Sequence, residues 1–298
     1  MTTRRQFSLG FGLCLAGGAA ARRAAAAGGT RGGAGADTLA TQLAAIEARC
    51  GGRLGVGILD TATGRMAGHR GEERFPMCST HKAISAAAIL ARVDGGRERL
   101  DRRVRFPAGA VLPYSPATAA HAGQEGMTLA AICEGAVTLS DNTAANLLFD
   151  ALGGPAGVTE WLRSTGDAVT RLDRTEPGLN EARPGDPRDT TSPFGMAATL
   201  QRLVLGEVLS AASRAQLAEW LIAGRTGGTR LRAGVPTGWR VGEKTGTGER
   251  GTANDIGILW PPGRRPIVVT AFITGATAPL DGQNAAIAEV ARVVAAMA

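Results

Sequence analysis

Lysine is rare enough in this chain to be read residue by residue. Of 33 basic residues only Lys82 and Lys244 are lysine, and the rest are arginine. Arginine fills most surface roles of lysine, but a guanidinium does not shed its proton. A lysine kept in such a background therefore reads as a functional amine. Lys82 closes Ser79-Thr80-His81-Lys82, which sets a hydroxyl and an amine at i and i+3, on one face of a helix. A serine is a poor nucleophile until a neighbouring base takes its proton, and a desolvated lysine can be that base. The N–H groups of a helix N-terminus would also face incoming negative charge.

Two further patterns complete the set. Ser140-Asp141-Asn142 places a hydroxyl beside an amide, able to shuttle a proton and to hold a carbonyl. Lys244-Thr245-Gly246 offers a cation and a hydroxyl for a carboxylate, with Gly246 leaving room for a substrate backbone. Singly, each has an ordinary explanation: a capping serine, a helix cap, a strand running into a turn. Together, at this composition, they are expected by chance on the order of 10⁻⁵ times, and they consume both lysines.

The elements that must position these groups follow from periodicity and punctuation. Asp37–Cys50 predicts a helix stopped by Gly51-Gly52, and 53–60 with 65–69 predicts a hairpin across Thr61-Ala62-Thr63-Gly64. Ser79–Val93 is apolar on most sides and predicts a buried helix. Helices are expected at 128–136, 143–152, 157–165, 193–205 and 210–223. Residues 171–192 are polar and carry five Pro or Gly between Pro177 and Pro187, the mark of a long ordered loop. Strands are expected at 240–244, 255–260 and 267–274, and a helix at 284–297 closes the chain. The implied fold class is α+β: one lobe of residues 37–77 and 222–298 with an antiparallel sheet and both terminal helices, and a helical lobe of residues 78–221. A cleft between lobes is a natural ligand site.

Composition narrows the function. The net charge of +7 invites a nucleic-acid reading, but residues 1–27 hold four arginines and no acid. Without them 29 bases face 26 acids, a mildly basic surface with no polyanion footprint. Thr3-Arg4-Arg5-Gln6-Phe7-Ser8-Leu9, the apolar stretch to Ala21 and the small residues at 24–27 predict a twin-arginine export signal cleaved near Ala27. Gly12 and Leu13 fit a lipid-anchor site at Cys14 poorly. No apolar run in the mature part reaches the length of a membrane span. Cys50, Cys78 and Cys133 are odd in number and lack CxxC spacing, and His69, His81 and His121 stand apart, which argues against a zinc hydrolase.

The three motifs, in this order, resemble those of the class A serine β-lactamases. The resemblance runs through the mature chain: Phe75-Pro76-Met77 before the serine, 140–146, 173–180 and 244–254. It implies a two-lobed fold, β-lactam substrates, a monomer, no cofactor, no metal and no nucleic-acid partner, while the export signal implies a periplasmic or secreted protein. Ser79 would attack the lactam carbonyl, with Lys82, or Glu176 through water, taking its proton. Ser140 would relay a proton to the leaving nitrogen. Arg174-Thr175-Glu176-Pro177-Gly178-Leu179-Asn180 resembles the family's Ω-loop, so Glu176 and Asn180 would hold the deacylating water, behind a cis bond at Pro177 and an Arg174–Asp189 ion pair. The N–H groups of Ser79 and Thr247 would form the oxyanion hole, Asn142 would hold the acylamide, and Tyr114 would stand at the cleft mouth. Lys244 and Thr245 would bind the substrate carboxylate, with Gly246 beside them. Many members carry an arginine where this chain has Ala253, so Arg230 would supply that charge. The carbapenemase bridge from the position of Cys78 finds Gly248, and that of Cys133 finds Ala86, so neither bridge is expected. Penicillin-binding D-Ala-D-Ala carboxypeptidases and transpeptidases share the three motifs but not the Glu176 loop.

Overall fold

The structure is a computed structural model that describes residues 33–298, with side chains from residue 38 onward. The expected export signal, its cleavage site and Cys14 lie outside the described residues. In chain order the elements are α1 (Gly33–Cys50), β1 (Arg53–Asp60), β2 (Arg65–His69), β3 (Phe75–Pro76) and the 3₁₀ turn Cys78–Thr80 leading into α2 (His81–Asp94). Then follow β4 (Arg103–Val104), β5 (Met127–Thr128), α3 (Leu129–Thr138), α4 (Asn142–Leu152), α5 (Gly154–Ser164), β6 (Thr190–Thr191), α6 (Pro193–Leu200) and α7 (Ala211–Ile222). The chain closes with the short α8 (Leu231–Gly234), β7 (Arg240–Gly248), β8 (Thr252–Trp260), β9 (Ile267–Thr274) and α9 (Leu280–Ala296).

Five strands form one antiparallel sheet in the order β2-β1-β9-β8-β7. The alternation of side chains along β9 explains how it serves two cores. Ile267, Val269, Ala271 and Ile273 face α1 and α9, where Leu43 and Ile46 meet Ile287, Val290 and Val294 at helical spacing. Val268 and Phe272 face the other way, into a larger core shared with Ile84, Leu148, Leu162 and Leu221 of the helical block. Helix α6 lies on that inner face, where the Thr270 hydroxyl donates to the Pro193 carbonyl at 2.9 Å. The α+β arrangement, with terminal helices on an antiparallel sheet and a helical block against its other face, matches the expectation.

Three details differ from the sequence reading, each with a physical cause. Ser79 stands in the 3₁₀ turn, two residues before the α-helix, because Cys78 is left-handed (φ 48°) and bends the chain there. Strand β7 does not end at Lys244 but continues to Gly248, since Gly246–Gly248 pair with Thr252–Asn254. The helix from 193 gives way to a π-helical turn at Gln201–Leu205. Among the described residues, no helix is long and apolar enough to cross a membrane.

Candidate active site

Ser79 opens into a cavity of about 480 Å³ between the helical block and the edge strand β7. Tyr114, Ser140, Asn142, Asn180, Arg230, Thr245, Gly246 and Thr247 line it as well. A larger cavity, about 710 Å³, lies on the far side of the loop but holds no serine, cysteine, lysine or histidine. The nucleophile turn is held from outside: Asn254 Nδ2 donates to the carbonyls of Pro76 (2.9 Å) and Met77 (3.0 Å). Gly246, which lines the cavity, also serves this turn. A Cβ there would stand 2.7 Å from the Met77 carbonyl oxygen, so only glycine lets β7 come so close. Cys78 is fully buried, and burial pushes its thiol up to about 12, far from a reactive thiolate.

The helical wall carries a compensated charge cluster. Lys82 Nζ lies 2.9 Å from Glu176 Oε1 and donates to the Ser140 carbonyl (2.8 Å) and to Asn142 Oδ1 (2.7 Å). Its three donors are thus engaged away from Ser79, although the i, i+3 spacing placed them together. The Ser79 hydroxyl instead donates toward Glu176 Oε1 at 3.4 Å. Burial pulls the Lys82 ammonium below its ordinary value, and the Glu176 carboxylate pulls it back up. For Glu176 burial acts upward, but the His81 hydrogen bond and the Lys82 charge outweigh it and hold the carboxyl at about 2.

Glu176 is positioned from both sides. Asn146 on α4 brackets its backbone, accepting from the Glu176 N–H (2.9 Å) and donating to its carbonyl (3.0 Å). Asn180 Nδ2 reaches Glu176 Oε2 at 2.5 Å, while the buried Asn180 Oδ1 has no protein partner. The Glu176-Pro177 bond is cis. The loop is closed by Arg174 Nε on Asp189 Oδ2 at 2.6 Å, with the N–H groups of Asp173 and Arg174 on Asp189 Oδ1. Met77 N–H donates to the Asp189 carbonyl at 2.9 Å, tying the loop to the nucleophile turn.

The strand wall is built differently. Lys244 Nζ is fully buried and donates to Ser140 Oγ (3.0 Å) and to the Thr245 carbonyl (2.8 Å), with no carboxylate partner. Burial and then the like charge of Lys82 hold its ammonium well below the usual lysine value. Ser140, left-handed at φ 60°, joins the walls: its carbonyl takes Lys82 and its hydroxyl takes Lys244. Such a backbone costs about 1–3 kcal/mol and is held here by both lysines and by Asp141. Asp141 accepts from the N–H groups of Ala117, Thr118 and Ala144. Arg230 spends four of its five donors on the protein. They go to Asn284 Oδ1, the carbonyls of Gly246 and Asn254, and Thr247 Oγ1.

Tyr114 is 59% exposed at the rim, and its carbonyl accepts from the Asn142 N–H. The structure thus brings together all twelve residues singled out by sequence: nine line the cavity, and Lys82, Glu176 and Lys244 lie directly behind them. It adds Arg225 and Thr226, which also line the cavity, and His81, which faces Glu176. The signal for Thr226 in the sequence is a hydroxyl at the Gly-rich approach to Arg230, and it pairs with Thr245 at 2.6 Å. Cys50, Cys78 and Cys133 are free and buried. Among the described residues no cluster of side chains suits a metal.

Comparison with known proteins gives a consistent result. Residues 38–297 match the model of the β-lactamase enzyme family. The chain is 50% identical to β-lactamase L2 of Stenotrophomonas maltophilia, over 86% of this chain and 84% of that protein. It is 44% identical to β-lactamase CTX-M-8 of Citrobacter amalonaticus, over 87% and 89% of the two chains. The solved structure of an ancestral class A β-lactamase superposes with a TM-score of 0.86 at 62% identity, covering 87% of this chain and all of that one.

Proposed function

From the premise that the chain belongs to the β-lactamase enzyme family, as a class A serine β-lactamase, we propose how its site opens and clears a β-lactam. The enzyme hydrolyses the β-lactam amide bond of penicillins and cephalosporins, a chemistry that confers antibiotic resistance. The observation that carries this reading is the placement of the Glu176 carboxyl, held 3.4 Å from the Ser79 hydroxyl by Asn146 and Asn180.

In acylation, Ser79 Oγ attacks the lactam carbonyl and its proton leaves toward Glu176 Oε1, the acceptor that the hydroxyl already faces. The N–H groups of Ser79 and Thr247 receive the developing oxyanion. As the C–N bond breaks, the Ser140 hydroxyl gives the ring nitrogen its proton. It takes back the one held by Glu176 through Lys82, which contacts both residues, so the carboxylate is free again before deacylation. Lys244, donating to the Ser140 oxygen, makes the hydroxyl a stronger acid. Asn142 holds the acylamide. The substrate carboxylate docks on Thr245, Thr247 and the remaining Arg230 donor, under the charge of Lys244. In deacylation a water between Glu176 and the unpartnered Asn180 Oδ1 loses its proton to Glu176 and attacks the ester carbonyl. As the ester C–O bond breaks, that proton passes to Ser79 Oγ and restores the free hydroxyl. No metal or cofactor enters these steps.

The residues work in a monomer exported to the periplasm by the twin-arginine signal of residues 1–27. The sheet lobe of residues 37–77 and 222–298 and the helical lobe of 78–221 each contribute one wall. A penicillin-binding carboxypeptidase or transpeptidase would share the serine and lysines but has no use for a carboxylate so placed. Mass spectrometry of wild type and Glu176→Ala with a penicillin decides between them. Rapid turnover by wild type and a lasting adduct on Ser79 in the variant are expected. A long-lived adduct on both would move the protein to the penicillin-binding enzymes.

A further inference from the structure

His81 is a fully buried histidine that the reaction sequence above leaves without a task. It sits between Thr80 and Lys82 and projects from the first turn of α2 into the space behind the loop. Its ring stacks on Phe149, with centroids 4.9 Å apart and planes 13° off parallel. Nδ1 lies 3.3 Å from the Ser85 hydroxyl, one helical turn on, and Nε2 lies 3.5 Å from Glu176 Oε1. Both ring nitrogens therefore have a partner, and the partners differ in kind. The ionised carboxylate only accepts, so Nε2 must carry the proton. The serine hydroxyl can donate, so Nδ1 is free to accept from it.

We propose that His81 is a positioning residue for the general base: Glu176 selects the Nε2–H tautomer, the Ser85 hydroxyl completes it by donating to Nδ1, and Nε2–H holds Glu176 Oε1 in its water-activating orientation. The inference rests on the reading of Glu176 as the deacylating base and adds a Ser85–His81–Glu176 chain to it. Burial favours the neutral ring. It drives the pKa of His81 down, opposed by the hydrogen bond and charge of Glu176, and the cations Lys82 and Lys244 push in the same direction as burial. The charged groups around Glu176 are Lys82 from α2 and Lys244 from β7, with the Cys78 thiol neutral beneath them. The facing surface of α4 offers Phe149 and the amides Asn142 and Asn146, with Asp141 acting on Lys82 from the cap of α4. At 3.5 Å the contact is long, and it shares its oxygen with the closer ammonium of Lys82. Its removal therefore produces a modest change.

Stopped-flow acylation and deacylation rates against pH, with a chromogenic cephalosporin, separate positioning from packing. His81→Phe keeps the ring stack and removes both nitrogens. His81→Gln returns a donor near the position of Nε2. Without the donor the Glu176 carboxyl binds its proton more tightly, so the acid limb of deacylation moves up in pH. We expect the acid limb of His81→Phe deacylation to lie about 0.5–1 pH unit above that of wild type, a loss of about three- to tenfold on the limb itself that vanishes as pH rises past it, with His81→Gln restoring most of the shift. An acid limb in a folded His81→Phe that superposes on wild type, while Glu176→Ala still accumulates adduct, overturns the role of His81 alone. Wild-type deacylation by Glu176→Ala overturns the base and this inference together. If His81→Phe does not fold, nitrogen-15 shifts of His81 in wild type still decide. Protonated Nε2 supports the chain, and protonated Nδ1 overturns it.

Discussion

The two walls of the cleft hold similar cations in opposite circumstances. On the helical wall Lys82 is matched by Glu176 at 2.9 Å, and the cluster is balanced before any substrate arrives. On the strand wall Lys244 and Arg230 are buried among hydroxyls, carbonyls and an amide, with no carboxylate bound to either. The buried acid nearest them does not repair this. Burial and then Glu243 push the Asp255 carboxyl well above its ordinary value, toward the neutral form. A balanced wall suits work on a neutral water, where a proton must move between matched groups. An unbalanced wall in a water-poor cleft is an anion site, and the carboxylate of a β-lactam is its missing partner.

The largest expected effect falls on the balanced wall. Glu176→Ala removes the base and is expected to slow deacylation by about 10²- to 10⁴-fold and acylation much less. Lys82, freed of its counter-ion and lowered by burial, can take the Ser79 proton in its place, so acyl-enzyme still forms on Ser79. Single-turnover kinetics checks this split. Equal losses in both half-reactions would mean that the two walls are not divided by task.

Next comes the unbalanced wall. Arg230→Ala deletes the clamp on Gly246, Asn254 and Thr247 and one cation of the anion site. Charged hydrogen bonds of this kind are worth about 1.5–3 kcal/mol, so kcat/KM should fall about ten- to a hundredfold, mainly through KM. Arg230→Lys should recover little, because an ammonium cannot span four acceptors that a planar fork reaches together. An unchanged kcat/KM would remove Arg230 from substrate binding.

The uncompensated charge also fixes a pH dependence. Lys244 titrates well below the usual lysine value in the free enzyme, so its charge is lost as pH rises before an ordinary lysine would lose it. A bound carboxylate stabilises the ammonium and moves that loss upward. The alkaline limb of kcat/KM should therefore lie at lower pH than that of kcat, and Lys244→Arg should move it out of range. An alkaline limb in kcat with none in kcat/KM would place the titrating group on the other wall.

The sequence carried most of this site because its chemistry is written in short spacings. Ser79 and Lys82 share a turn, 140–142 share a cap, and 176–180 lie on one loop. What escaped is what depends on contacts between distant segments. His81 meets Glu176 across 95 positions, and nothing in an isolated histidine on an alanine-rich helix signals that contact. The end of β7 was hidden because its last residues, Thr245 to Gly248, have no apolar alternation and become strand only through pairing with β8. Likewise β3 and β6, at two residues each, are too short to show a period.

The smallest effect tests whether the strand wall is truly unbalanced, through Asp255. Were its carboxyl ionised, it would be the hidden counterion of Lys244 and Arg230, and the contrast between the walls would dissolve. With its folded pKa raised above the ordinary 3.8, the folded state holds the proton more tightly than the unfolded chain. Stability from this group is then full below about pH 3.8 and declines as pH rises toward the folded value. At neutral pH the acid is a cost, and Asp255→Asn, which mimics its neutral form, removes that cost. The variant should match wild type near pH 4 and exceed it by about 1 kcal/mol at pH 7, the scale of one buried polar mismatch. Thermal unfolding across that range reads the difference directly. A variant that is less stable at pH 7 and indistinguishable at pH 4 would show an ionised Asp255. The substrate carboxylate would then meet a wall already neutralised from behind.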